Sequence, residues 1–345
     1  MRKTHQSKRP LRLGFVALAD CAPIVMAQEL GLFAEFGVAV ELRREVGWAT
    51  IRDKIIYGEL EAAHAPAGVV VAASCGLGSI HAECVTGLIL NLQGNAVTLS
   101  EKLWQRGVRN GDSLREAIRD ASHRFTFGVV HNYSAHSGLL RIWLRDHGID
   151  PERDVQIVVV PPPQVHANLR AGHLDGYCVG EPWNSLAVLS KTGWCVTTSM
   201  DLAPRHPEKV LIVRKDFATH SEGDHLAVIA ALIKSCAFCE KPENRERLIE
   251  TLAQSKYVGA PIQALRMGMS GTFNYGHDRI EKQARFHIFS EGNANEPTRE
   301  KARWVIDNLL SSGLVADPTL IPREKAGEWF RADIYQQALK LTQQS

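Results

Sequence analysis

The segment Val158–Asn184, VVVPPPQVHANLRAGHLDGYCVGEPWN, constrains this chain more than any other. Its β-branched run meets Pro161-Pro162-Pro163, which cannot donate to a sheet ladder and so end the strand. Gln164–Ala171 then reads as a short helix closed by Gly172, and Gly176–Val179 as a second strand. Strand, helix and strand in so short a span demand a sheet covered by helices. The second strand runs into Gly180-Glu181-Pro182-Trp183-Asn184, a turn that leaves backbone N–H groups facing a cleft.

The same alternation continues along most of the chain. Leu11–Leu18 reads as a strand, Pro23–Phe33 as the following helix and Val38–Leu42 as the next strand. Thr50–Tyr57 is a short helix, and Glu61–His64, Leu88–Asn91 and Ala96–Leu99 are strands. A polar helix at Gly111–Ala121 precedes a strand at Arg124–Val130. An amphipathic helix at Ser137–His147, stopped by Gly148, leads to the strand Val155–Val160. After the apolar strand Lys209–Arg214 the pattern turns almost wholly helical, at Asp224–Glu240, Arg245–Ala253, Pro261–Gly268, Pro297–Ser311 and Arg323–Thr342.

At 345 residues the chain is too long for one compact core and suits two. The expected fold is α/β: a two-lobed clamshell, each lobe a mostly parallel sheet flanked by helices, with a helical C-terminal extension. Domain I is discontinuous, holding residues 1–100 and 210–345, and domain II is the insert 101–209. Hinges fall near 98–103 and 205–210, and paired crossings suit closure around a ligand.

Composition excludes several classes. A net charge of +2 gives no field for nucleic acid. No run of about 18 apolar residues exists to span a membrane. The basic residues Arg2, Lys3, Lys8 and Arg9 precede the apolar stretch Leu11–Met26 as in a signal peptide, but Asp20 interrupts it, so the stretch reads as structure. Seven cysteines, an odd number in a large chain, imply no disulfide framework, and the expected compartment is the cytoplasm.

Catalytic and metal motifs fare poorly. Cys236-x-x-Cys239 has redox spacing, yet Leu226, Ile229, Leu232, Ile233 and Cys236 follow one helical apolar face, which assigns the pair to the core. No second Cys or His pair completes a zinc site. Gly76-x-Gly78 lacks the rest of a dinucleotide fingerprint, and Ser79, His81 and Glu83 crowd one segment too closely for a triad. The expectation is no enzyme, no cofactor and no metal.

The block from Pro161 to Asn184, the His206-Pro207-Glu208-Lys209 tetrapeptide, and Ala135-His136 before a Leu-Leu-Arg-x-Trp-Leu helix resemble the nitrate/bicarbonate-binding family of type II periplasmic binding proteins, the NrtA/CmpA type. The resemblance runs over about residues 11–280. It implies a ligand set of Trp48, Asn95, His136, Gly180 and Lys209, with Gln93 as a possible addition because Asn95 stands where nitrate binders of the family carry Gln. Without a leader the chain is similar to the cytoplasmic nitrate/nitrite-sensing NasS branch. That branch implies a protein partner, an RNA-binding antiterminator of the NasT (ANTAR) type, released when the anion binds, with no direct nucleic acid contact. The alternatives are the solute-binding component of a nitrate or related-anion ABC transporter, and an enzyme on the same clamshell.

The implied chemistry suits a flat, singly charged anion. Lys209 supplies a permanent charge as a compact donor, Trp48 an indole N–H or a stacking face, His136 a ring N–H, and Asn95 and Gly180 fixed dipoles. Charge-assisted hydrogen bonds of roughly 1.5–3 kcal/mol each, less desolvation and closure, reach about 8 kcal/mol, or micromolar binding. The bicarbonate binders' acidic groups and calcium find no carboxylate cluster at these positions. Read without the resemblance, Lys209 is also a solvated strand-edge residue, His136 a helix cap, Trp48 core, Gly180 a turn glycine and Asn95 turn chemistry after Gly94. Glu181 is expected to be a structural carboxylate beside the hinge.

Overall fold

The computed structural model describes residues 9–343, so Arg2, Lys3 and Lys8 lie outside the described residues. The chain opens with β1 (Leu11–Val16), β2 (Val40–Glu45), β3 (Ala62–Pro66) and β4 (Cys84–Gln93). β1 pairs in parallel with both β2 and β3. The helices Ala22–Glu29 and Trp48–Ile56 supply the covering connections that parallel neighbours need. The helix Ala67–Cys75, AGVVVAASC, has no counterpart in the sequence reading. Every residue from Ala67 to Ser74 is buried, so it has no polar face and leaves no helical period in the sequence.

Only Gly94 separates β4 from β5 (Asn95–Ser100), yet β5 belongs to a second sheet with β6 (Phe125–Val129), β7 (Val155–Val159), β8 (Gly176–Gly180) and β9 (Gly193–Thr198). The strand order of that sheet is β7-β6-β8-β5-β9. The chain then returns through residues 199–206 to β10 (Pro207–Arg214), which inserts between β3 and β4 of the first sheet. The crossings therefore start at Gly94 and at residue 199, each ahead of the expected hinge positions. Gly94 sits at φ +100°, and a Cβ there would meet the His287 ring at 2.5 Å, so both conformation and space require glycine.

Both sheets are mixed rather than mostly parallel. β5 and β10, the strands beside the two crossings, run antiparallel to their neighbours on either side. Hydrophobic pattern marks a segment as a strand but carries no direction, so the sequence could not reveal this reversal.

The C-terminal third departs from the almost wholly helical expectation. A hairpin, β11 (Thr272–Gly276) and β12 (Arg279–Lys282), is followed by β13 (His287–Ile288), which pairs with β4 and completes the first sheet as β13-β4-β10-β3-β1-β2. The hairpin docks on the second lobe, where Phe273, Tyr275 and Phe286 share a small core with Ala96 and Cys195. At its tip the His277 ring stacks on Trp104 at 3.6 Å, and the Arg109 guanidinium lies 3.6 Å from the same ring. The helix expected over 323–342 breaks at Phe330, which bridges to Thr86 of β4. Arg331 N–H donates to the Thr86 carbonyl at 2.8 Å, and the helix proper is Ala332–Thr342. Trp304, Leu309, Leu310, Trp329 and Phe330 pack into the main core, and Cys236 and Cys239 into the helix-backed core of the first sheet. Among the described residues no helix is long and apolar enough to cross a membrane.

Candidate functional site

Where the two sheets face each other, seven segments converge on one enclosed polar cluster. β1 ends in a helical turn, Ala19–Cys21, that presents Asp20, and Ala19 N–H donates across the lobes to the Glu181 carbonyl at 2.7 Å. Trp48 opens the helix Trp48–Ile56, and His64 comes from β3. Asn95 and Gly180 lie directly opposite each other on β5 and β8. His136 sits in the first turn of the helix Ala135–Asp146, whose N-cap Ser134 accepts from Ser137 N–H. Glu208 and Lys209 are neighbours on β10, where alternation would send them to opposite faces. Register shifts on either side of Lys209 break that alternation, and both side chains reach the cluster.

Lys209 is fully buried and its ammonium lies 2.8 Å from Asp20 Oδ2 and 2.6 Å from Glu208 Oε1. Glu208 Oε2 accepts from Asn95 Nδ2 at 2.6 Å and faces His206 Nε2 at 3.0 Å, while His136 Nε2 stands 3.4 Å from Oε1. His64 Nε2 stands 3.0 Å from Asp20 Oδ1. The Trp48 ring lies 5.0 Å from the His64 ring and 5.5 Å from the Lys209 ammonium. At Gly180 a Cβ would lie 3.4 Å from Asp20 Oδ2 and 3.5 Å from Asn95 Oδ1, so the bare backbone keeps room beside both. Buried without a hydrogen-bond partner among the described residues are Trp48 Nε1, Asn95 Oδ1, Asp20 Oδ1, and both ring nitrogens of His64 and His136. Unpaired buried polar groups are costly, so orphans of this kind in one enclosed place make it the candidate ligand site.

Burial opposes ionisation throughout, and proximity decides which groups resist it. Burial works against the Asp20 carboxylate, but Lys209 and His64 hold it well below the usual carboxylate range. Lys209 and His136 do the same for Glu208. Burial lowers Lys209, and the two carboxylates more than restore it, so the ammonium stays charged. His136 is pushed down to about 4 by burial against the partial pull of Glu208. Burial also lowers His64, with Asp20 opposing.

The structure brings together Trp48, Asn95, His136, Gly180 and Lys209. It does not bring in Gln93, whose amide donates to the Arg285 carbonyl at 2.6 Å and accepts from Arg205 N–H at the second crossing. Glu181 is buried next to Gly180. Ser185 N–H donates to it at 3.2 Å, Gly268 packs against it, and burial pushes its carboxyl up to about 7. No carboxylate replaces the expected donors, but two that the sequence did not assign to the site stand beside them: Asp20 and Glu208 both contact Lys209, which is therefore already neutralised. Asp20 was legible only as an interruption of an apolar run, and Glu208 only as part of a motif. Nothing in the spacing of His64 signalled its place. Among the described residues no three His, Cys, Asp or Glu side chains are grouped to hold a metal ion.

The sequence matches the NMT1-like family over residues 4–253. It is 36% identical over 312 residues to the nitrate import ATP-binding protein NrtC of Synechocystis sp., covering 89% of this chain and 47% of that protein. It is 30% identical over 344 residues to the nitrate/nitrite binding protein NrtA of Synechococcus elongatus, covering 95% of this chain and 77% of that one. The crystal structure of the periplasmic nitrate-binding protein NrtA from Synechocystis PCC 6803 superposes with a TM-score of 0.90 at 24% identity, over 96% of this chain and 88% of that one. The chain spans 47% and 46% of the first two curated relatives it matches, both ATP-binding transport proteins.

Proposed function

Because the chain belongs to the NMT1-like family and, within it, to the NrtA/CmpA type, we propose that it binds nitrate or nitrite between its lobes without transforming it. The observation that carries this reading is the enclosed cluster in which Trp48 Nε1 and both His136 ring nitrogens are buried without a hydrogen-bond partner among the described residues, beside the buried side chains of Lys209 and Asn95. The crossings at Gly94 and residues 199–206 serve as the hinge, and closure shields the anion from water. Calorimetric titration should give saturable heats with nitrate or nitrite and little response to sulfate. Silence towards both anions would end the reading.

The same fold supports regulation. The anion favours the closed form, and a partner that prefers the open form is released when it binds. The partner proposed is a NasT-type antiterminator in the cytoplasm, by the sequence resemblance. Co-purification with such a protein, lost on adding nitrate, is the expected result; a complex indifferent to the anion would refute it. A second reading, the anion-binding part of a transport system, is favoured by the NrtC and CmpC relatives, a nitrate import and a bicarbonate transport ATP-binding protein. Stable association with a membrane permease would support that reading instead.

A further inference from the structure

Among the described residues Lys209 is the one permanent cation in the enclosed cluster, and it is shared between two carboxylates. With the histidines neutral, the cluster carries one excess negative charge. His206 has both ring nitrogens turned to acceptors, the Ala203 carbonyl at 2.8 Å and Glu208 Oε2 at 3.0 Å. No positive charge is left over for an entering anion. Placing an uncompensated charge in a water-excluded site is unfavourable by far more than the donors return.

We infer that the anion enters together with a proton, and that His64 receives it. This rests on the anion-binding reading above. The choice of His64 follows from how the two carboxylates are served. Glu208 already has Lys209, Asn95 and His206 as donors. Asp20 has Lys209 on Oδ2, but its Oδ1 has no hydrogen-bond partner among the described residues and lies 3.0 Å from His64 Nε2. A proton on His64 turns the 3.0 Å contact between Nε2 and Asp20 Oδ1 into an ion pair and makes both ring nitrogens N–H donors. His136 is the poorer seat, since it lies in the first turn of a helix, where the backbone's partial positive charge opposes a cation. The other groups around His64 are Asp20 on the turn after β1, Trp48 on the helix Trp48–Ile56, and Glu208 and Lys209 on β10. His287 is held low by burial and is drawn upwards by Asp20. The neighbouring thiol of Cys178 is raised far out of range and stays neutral. Glu181 is the remaining group that titrates near neutrality, so it needs its own control. The proton comes from solvent and returns to it on release.

The test is calorimetry on the full chain with sodium nitrate at pH 6.5, 7.5 and 8.5, in two buffers of different ionisation enthalpy. About one proton should be taken up per nitrate bound at the upper pH values, and Kd should rise about tenfold per pH unit there. His64→Gln should lose most of the uptake and the pH dependence together, whereas Glu181→Gln should keep both. Histidine ring 15N spectra of the unmodified protein give a readout that needs no variant: one ring should become an imidazolium on nitrate addition. Nitrate binding with no net proton uptake would overturn the inference. So would uptake that survives His64→Gln and vanishes in Glu181→Gln. Absence of binding by nitrate and nitrite at every pH would instead bring down the anion-binding reading on which it stands.

Discussion

Deleting the Lys209 ammonium leaves Asp20 and Glu208 as buried carboxylates without their shared cation. Removing one partner of a buried ion pair costs about 3–5 kcal/mol. Lys209→Met should therefore lower the urea midpoint by that equivalent, and adding Asp20→Asn should recover part of the loss. Equal stability of Lys209→Met and the native chain would show that the cluster is not charged as described. Acid should act on a different set of groups. Burial holds His131, His136, His225 and His287 at about 4, below the unfolded value near 6.5. A folded value below the unfolded one contributes stability that is complete above about 6.5 and is lost as pH falls towards 4, at up to about 1.4 kcal/mol per pH unit for each ring. Denaturation midpoints without anion should accordingly fall between pH 6.5 and 5, and a flat profile there would contradict these burials. The clustered residues were legible unequally. Trp48, His136 and Lys209 sit in motifs dense enough to be transferred by resemblance. Asp20 and His64 reach the site through tertiary packing alone, which no local spacing encodes.

Among the elements, β10 shows what strand pattern misses. Its alternation assigns Glu208 and Lys209 to opposite faces, and only the register shift beside them unites the pair. Helices with a polar face, such as Arg245–Ala253, appear in the structure at the bounds the sequence indicated. The fully buried Ala67–Cys75 and the β11–β12 hairpin do not announce themselves, the first for want of a polar face and the second because it lies in a predominantly helical stretch. That hairpin is a strap, leaving the first lobe after the helix Ile262–Met269 and packing on the second through Phe273, Tyr275 and Phe286. Phe273→Ala removes the centre of its small core and should cost about 3–5 kcal/mol if the strap unfolds with the whole protein. If the strap detaches first, amides of residues 272–282 should exchange fast while global stability barely moves. Hydrogen exchange read beside a denaturation curve separates the two, and protection unchanged in both would show that Phe273 does not anchor the strap.

At the scale of the molecule, the backbone of the described residues passes between lobes four times: at Gly94, through residues 199–206, into the hairpin and back out to β13. A second brace joins them where the helix Arg299–Ser311 meets the helix Ala135–Asp146. Their approach is so close that a Cβ on Gly138 would overlap the Asn308 amide. Arg145 donates to the carbonyls of Ser311 and Ser312 at 2.7 and 3.0 Å. Opening must therefore move the strap and this brace as well as the hinge. Small-angle scattering should give a radius of gyration of about 20 Å for the nitrate-saturated protein, and a larger value without the anion. Superimposable curves would rule out a change of lobe angle. The passage at Gly94 has a mechanical corollary of its own. A link one residue long has no slack, so β4 and β5 act as two arms of one lever about a swivel of two dihedral angles. Lengthening it would turn the lever into a tether, leaving the anion's donors in place while occupancy no longer dictated the angle between the lobes.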